Sequence, residues 1–141
     1  MSDSASAPPA YPRPDPQTER DAAFWEGVEH GELRIQRCTA CGTFRHPPRP
    51  VCAACGSRDA EPAKVAGTGE VWSFTVVHPP TLPAFAERTP YAAVVVRLDE
   101  GAFLVSNLVD CANDEVAVGM RVELAITEVE PGLKLPLFRP A

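Results

Sequence analysis

No apolar run in this 141-residue chain approaches the length of a membrane span, and the opening residues, MSDSASAPPAYPRPDPQ, lack the basic flank and continuous apolar stretch of a signal peptide. A soluble, cytoplasmic protein is therefore expected. Catalytic signatures are missing too: there is no G-x-S-x-G elbow, no Walker loop and no dinucleotide fingerprint. Histidine is scarce, and His30, His46 and His78 fall in three separate stretches, so no acid–base set converges along the chain. Positive charge is also short. Thirteen Lys and Arg against nineteen Asp and Glu leave a net charge of −6, which argues against a general affinity for phosphate backbones. The length excludes a large multidomain enzyme and leaves room for one domain, or for a small metal module with one compact domain.

What is present is a cysteine pattern. Four of the five cysteines lie in two C-x-x-C-G knuckles, CTACG at 38–42 and CAACG at 52–56, with ten residues between Cys41 and Cys52. Cys38, Cys41, Cys52 and Cys55 thus form a candidate tetrathiolate site. Soft sulfur ligands without histidine or carboxylate suit a tetrahedral, closed, structural Zn²⁺ with no position open to water or substrate. Rubredoxin-type iron uses a similar set, and disulfides or unrelated thiols are the remaining alternatives. Gly42 and Gly56 fit a metal knuckle, since glycine can take the positive φ that turns backbone N–H groups toward sulfur. Cys111 has no basic neighbour to lower its pKa and reads as an inert buried thiol. Around the knuckles sit Arg34, Arg37, Arg45, Arg49 and Arg58, with Glu32, Asp59 and Glu61 as counter-charges. This basic island is either ordinary solvation of a small module or a seat for an anionic partner. His46, in the proline-rich stretch between the knuckles, reads as a surface residue because four cysteines already complete the site.

The rest of the chain divides by composition. Residues 1–15 form a Pro-rich tail expected to be extended and without a fold. Residues 16–31 read as a short amphipathic helix, with Pro16 in its first turn, Phe24, Trp25 and Val28 as its apolar residues, and Gly31 as its cap. Gly27 weakens this helix by about 1 kcal/mol, so a neighbour must hold it. Residues 32–62 form the ribbon, entered through a strand in which Leu33 and Ile35 alternate with Arg34 and Gln36. Phe44 is expected to cover the metal site. Residues 63–141 hold five strand-like runs at 70–78, 91–99, 102–110, 121–130 and 133–138, without a long helical pattern, which points to a small barrel of the OB type. Gly67 and Gly69 stand where the first strand must bend. Trp72, Phe74 and Val76 alternate with polar and β-branched neighbours and are assigned to the core. Asp114 and Glu115 read as a solvated turn. The expected class is mainly β: an N-terminal helix, a rubredoxin-like zinc ribbon and a C-terminal five-stranded OB-fold.

The order of parts, FWEG helix, CTACG to CAACG ribbon, then GTGEVWSFTVVH, PYAAVVVRLDEG, VGMRVEL and LPLFRP, resembles the acyl-CoA-associated zinc-ribbon and OB-fold proteins, long catalogued as a domain of unknown function. The resemblance covers nearly everything after the Pro-rich tail. It implies a non-catalytic accessory subunit that binds a thiolase-like enzyme or a hotdog-fold hydratase and assists acyl-CoA condensation, thiolysis or retro-aldol chemistry. It also implies that Phe24, Trp25 and the ribbon contribute to a shared surface. The barrel, including 135–140, would lie near an acyl-CoA ligand shared with the partner. A nucleic-acid-binding protein is the second reading, but it calls for a basic barrel with exposed aromatics, whereas residues 63–141 carry six Lys and Arg against ten Asp and Glu. A stand-alone acyl-CoA enzyme or an electron carrier is the third. No nucleic-acid or membrane partner is expected, and no catalytic residue is assigned.

Overall fold

The computed structural model describes residues 10–79 and 82–141; most of the Pro-rich tail, 1–9, lies outside the described residues. One helix, α1 (Glu19–Glu29), leads into a three-stranded sheet of β1 (Arg34–Cys38), β2 (Phe44–Arg45) and β3 (Ala60–Lys64), in the order β2-β1-β3. The barrel follows: β4 (Thr68–Val77), β5 (Tyr91–Leu98), β6 (Phe103–Asn107), β7 (Arg121–Glu130) and β8 (Leu133–Pro140), in the order β6-β5-β4-β7-β8. All pairings between these strands are antiparallel. A bridge between Leu108 and Phe138 and the Val109 N–H donating to the Phe138 carbonyl bring the sheet's two ends together as a barrel. The five strands fall on the five runs expected from alternation, and the fold is the mainly β arrangement of helix, ribbon and OB-fold.

The helix starts at Thr18, whose hydroxyl accepts from the Asp21 N–H, with Glu19 and Asp21 in the positive first turn. Its end is closed by the Glu32 N–H donating to the Gly27 carbonyl, which requires Gly31 at φ +79. Gly27 is buried where a Cβ would press within 2.8 Å of the Arg34 side chain and 3.1 Å of the Glu32 carbonyl. The same glycine that weakens the isolated helix thus lets it lie close against the ribbon.

Phe24, Val28, Leu33 and Ile35 join Val71, Val94, Val96, Val122 and Phe138 in one continuous core. The helix touches β1, β3 and β8, so it ties the ribbon to the barrel. Phe24 is thereby a core residue.

At the barrel's start, Gly67 holds φ +78 with a Cβ position 2.9 Å from that of Leu124, and a Cβ on Gly69 would drive into the Arg97 carbonyl. These two glycines let β4 bend between β5 and β7, which it pairs with on opposite edges. Beside them Asp99 accepts two bonds of 2.9 Å from the Arg121 guanidinium and one from Thr68 Oγ1, the guanidinium first and the hydroxyl second holding its carboxyl down at about 2. Because the folded pKa lies below the unfolded value near 3.9, this clamp stabilises the fold above about pH 4 and is lost as pH falls toward 2. In an acid titration of the melting temperature, Asp99→Asn should flatten the step between those two values; an unchanged step would show that the clamp contributes nothing.

Candidate functional site

Each knuckle is a tight turn built by the same pair of backbone bonds. In the first, the Gly42 N–H donates to the Cys38 carbonyl and the Cys38 N–H to Thr43; in the second, the Gly56 N–H donates to Cys52 and the Cys52 N–H to Ser57. Gly42 and Gly56 take φ +80 and +77, as the repeated turn requires. The turns face each other, with Cys38 Sγ 3.6 Å from Cys55 Sγ and Cys41 Sγ 3.7 Å from Cys52 Sγ, and all four sulfurs within 4.8 Å of one another. A tetrahedron of sulfurs at the Zn–S distance of about 2.3 Å has edges of about 3.8 Å. The four sulfurs therefore fit a tetrahedrally held metal.

Electrostatics agree with this geometry. Backbone N–H groups of Cys41 and then Ala40 point at the Cys38 sulfur and hold its pKa down at about 6. The Ser57 N–H favours the Cys55 thiolate, but the adjoining sulfurs, Cys38 foremost, push its proton's release up to about 12. Four sulfurs this close cannot all ionise without a cation among them, and a divalent ion removes that conflict. Cys38 and Cys52 are buried, while Cys41 and Cys55 face solvent, so one edge of the site lies at the surface.

His46 is not among these ligands, and it is half-buried rather than free on the surface. Its ring stacks on Phe24 at 4.8 Å, its Nδ1 is buried without a hydrogen-bond partner, and burial lowers its pKa. Gln36 is likewise buried rather than solvated: its Oε1 accepts from Arg45 Nε at 2.8 Å and from the Arg49 N–H at 2.7 Å, pinning the loop between the knuckles. Of the basic island, Arg34 pairs with Glu32, Arg45 is used by Gln36, and Arg37 lies over the Phe44 ring at 5.9 Å and near Glu61. Much of its charge is thus spent on building the ribbon. Cys111 is half-buried; burial first, then Glu115 and Asp114, raise its pKa, consistent with an unreactive thiol.

The barrel carries a feature that strand alternation missed. Trp72 is 54% exposed and meets Phe103, 41% exposed, edge-on at 5.2 Å, with Val105 73% exposed beside them. The core assignment of Trp72 is therefore corrected. A bulge between Val71 and Ser73 shifts the β4 register by one residue, so Trp72 turns outward. Phe74 and Val76 pair with the buried Val94 and Ala92, yet Phe74 is 36% exposed and neither joins the common core, so their core assignment is corrected too.

Residues 25–61 match the family model described as ChsH2, rubredoxin-like zinc ribbon domain, and residues 63–127 the one described as ChsH2, C-terminal OB-fold domain. The chain is 50% identical over 130 residues to a probable enoyl-CoA hydratase alpha subunit of Thermomonospora curvata, covering 92% of this chain and 40% of that protein. It thus spans two fifths of that relative's length. It is 34% identical over 96 residues to a DUF35 domain-containing scaffold protein of Methanocaldococcus jannaschii, covering 67% of each. Among solved structures, a chain of an Ltp2-ChsH2(DUF35) aldolase superposes with a TM-score of 0.78 at 46% identity, over 89% of this chain and 98% of that one.

Proposed function

The chain belongs to the ChsH2/DUF35 family, and from that premise we propose that it is a non-catalytic accessory subunit. It binds a thiolase-like enzyme or a hydratase in the cytoplasm and assists acyl-CoA condensation, thiolysis or retro-aldol chemistry. The observation that carries this reading is the likeness to nearly the whole length of one chain of a two-component aldolase, at 46% identity. One feature of the molecule supports it. Among the described residues, the groups of three or more potential metal ligands reduce to the four cysteines, whose geometry suits a closed structural Zn²⁺ held by Cys38, Cys41, Cys52 and Cys55. Such a metal folds the ribbon and leaves the chemistry, and any acyl-CoA, to be completed by the partner.

The exposed Trp72 and Phe103 are what a single-strand-binding barrel would also offer, so the argument against nucleic acid rests on charge. Residues 63–141 carry more acid than base, and Arg97, opposite Phe103, is already paired with Glu70. An electrostatic funnel for phosphates is not built there.

The reading is tested by producing the tagged chain together with a thiolase-like or hydratase subunit encoded beside it. Stable co-purification is expected, with acyl-CoA turnover that neither component reaches alone. Turnover by the isolated chain, or a pair that neither binds nor changes activity, would overturn the accessory role. No helix among the described residues is long and apolar enough to cross a membrane.

A further inference from the structure

Residues 10–17 have no regular secondary structure, yet they do not stand away from the barrel. Tyr11 lies against the 3₁₀ turn Pro83–Phe85, its ring edge-on to Phe85 at 5.2 Å, while the Arg88 guanidinium covers its face at 4.9 Å. Phe85 in turn packs near Tyr91 of β5 at 6.0 Å. Two residues on, Arg13 Nη2 donates to Glu130 Oε1 at 2.9 Å and to the Pro131 carbonyl at 3.3 Å, and the Tyr11 N–H donates to the other oxygen of Glu130 at 3.4 Å. Tyr11 forms one wall of an apolar groove of about 380 Å³ whose other walls include Ala93, Val105 and Leu137. The groove continues through Val105 onto the bare face that carries Phe103 and Trp72.

The spacing explains why this segment suits this groove. Pro12, Pro14 and Pro16 alternate with Tyr11, Arg13 and Asp15, so the chain is held extended before it docks and loses little freedom in doing so. Tyr11 and Arg13 project between the prolines, one between Phe85 and the Arg88 guanidinium and one onto a carboxylate. Attachment at two points, one of them an exposed ion pair, holds the segment without locking it. We propose that residues 11–14 act as a strap at the rim of this groove, over one end of the apolar barrel face, with the Tyr11 ring closing one wall and Arg13 tied outside it to Glu130. Lifting the strap extends that face from Trp72 and Phe103 to Tyr91 and Leu137. The same groove would then take a segment of like chemistry from outside.

The test uses the full chain and a synthetic peptide of residues 10–17. Tyr11→Ala combined with Arg13→Ala should free the groove, raising the fluorescence of an added hydrophobic dye and letting the peptide bind, with NMR shifts confined to Ala93, Val105, Leu137 and their neighbours. Wild type should bind the peptide at least about tenfold more weakly, because its own segment competes at high effective concentration. Glu130→Gln removes one anchor without altering the apolar wall and should give an intermediate response, which covers the case of a double variant that does not fold. Adding Val105→Glu at an exposed position should abolish peptide binding. Equal peptide binding by wild type and variants, no binding by any of them, or a strap-exchanged dimer in sedimentation would each overturn the intramolecular strap. No enzyme partner enters the experiment, so its failure leaves the accessory-subunit reading standing.

Discussion

Replacing Cys41 with serine should empty the metal site and unfold the ribbon, the largest effect expected from any single change in this chain. Cys41 is the informative ligand to alter because its side chain is exposed, so the substitution removes little packing and its cost reports on the metal. Structural zinc contributes an apparent ~10–16 kcal/mol in zinc-finger peptides at neutral pH, against a whole-domain stability of about 5–15 kcal/mol. The ribbon has little apolar material of its own to replace that contribution: β2 is two residues long, and the stretch between the knuckles is held mainly by Gln36 and the backbone turns. Metal analysis should find one zinc per wild-type chain and much less in Cys41→Ser. Amide exchange should lose protection across 34–64, and a chelator should reproduce the effect in wild type. Since Leu33 and Ile35 belong to the common core, the barrel should melt at a lower temperature as well. A colourless wild-type protein with zinc excludes iron; a Cys41→Ser chain that keeps its metal and its melting temperature would defeat the structural role.

The cluster of four cysteines was legible in the sequence because its information is local. Four cysteines and two glycines at fixed spacing dictate two equivalent turns, and only their facing arrangement had to come from the fold. The five barrel strands were legible for a related reason, since alternation over six to ten residues has a period of two whatever the tertiary context. The face of Trp72 was not. A one-residue bulge after Val71 reverses inside and outside, and nothing in VWSFTVV marks where it falls. His46 was missed for another reason. A short polar residue in a proline-rich stretch looks solvated until a distant element covers it, and here the cover is Phe24, twenty-two residues away. The tail adds the same lesson, since the composition of residues 10–16 says that they cannot form a core, not that Phe85, Arg88 and Glu130 cannot hold them.

Phe24→Ala should cost about 3–5 kcal/mol, because the ring is buried and truncating a core phenylalanine leaves both lost transfer energy and a cavity. The sequence left Phe24 and Trp25 divided between packing within this chain and anchoring a partner. The structure separates them: Phe24 lies in the common core, with Trp25 edge-on to it at 5.1 Å and only half-buried. Trp25→Ala should therefore cost clearly less than Phe24→Ala when urea unfolding of the isolated chain is measured. A second readout comes from His46, whose ring rests on Phe24 and whose pKa burial lowers from the usual 6.5 despite the opposing charge of Asp21. A histidine kept neutral in the fold binds its proton more readily when unfolded, so wild-type stability should be full above about pH 6.5 and decline as pH falls below it. Opening the site by Phe24→Ala lets water reach the imidazole and should erase that decline, leaving a lower and flatter profile. If the variant instead keeps the wild-type slope, the burial of His46 does not depend on the helix. If Phe24→Ala costs less than 1 kcal/mol, the helix does not join ribbon to barrel through this ring.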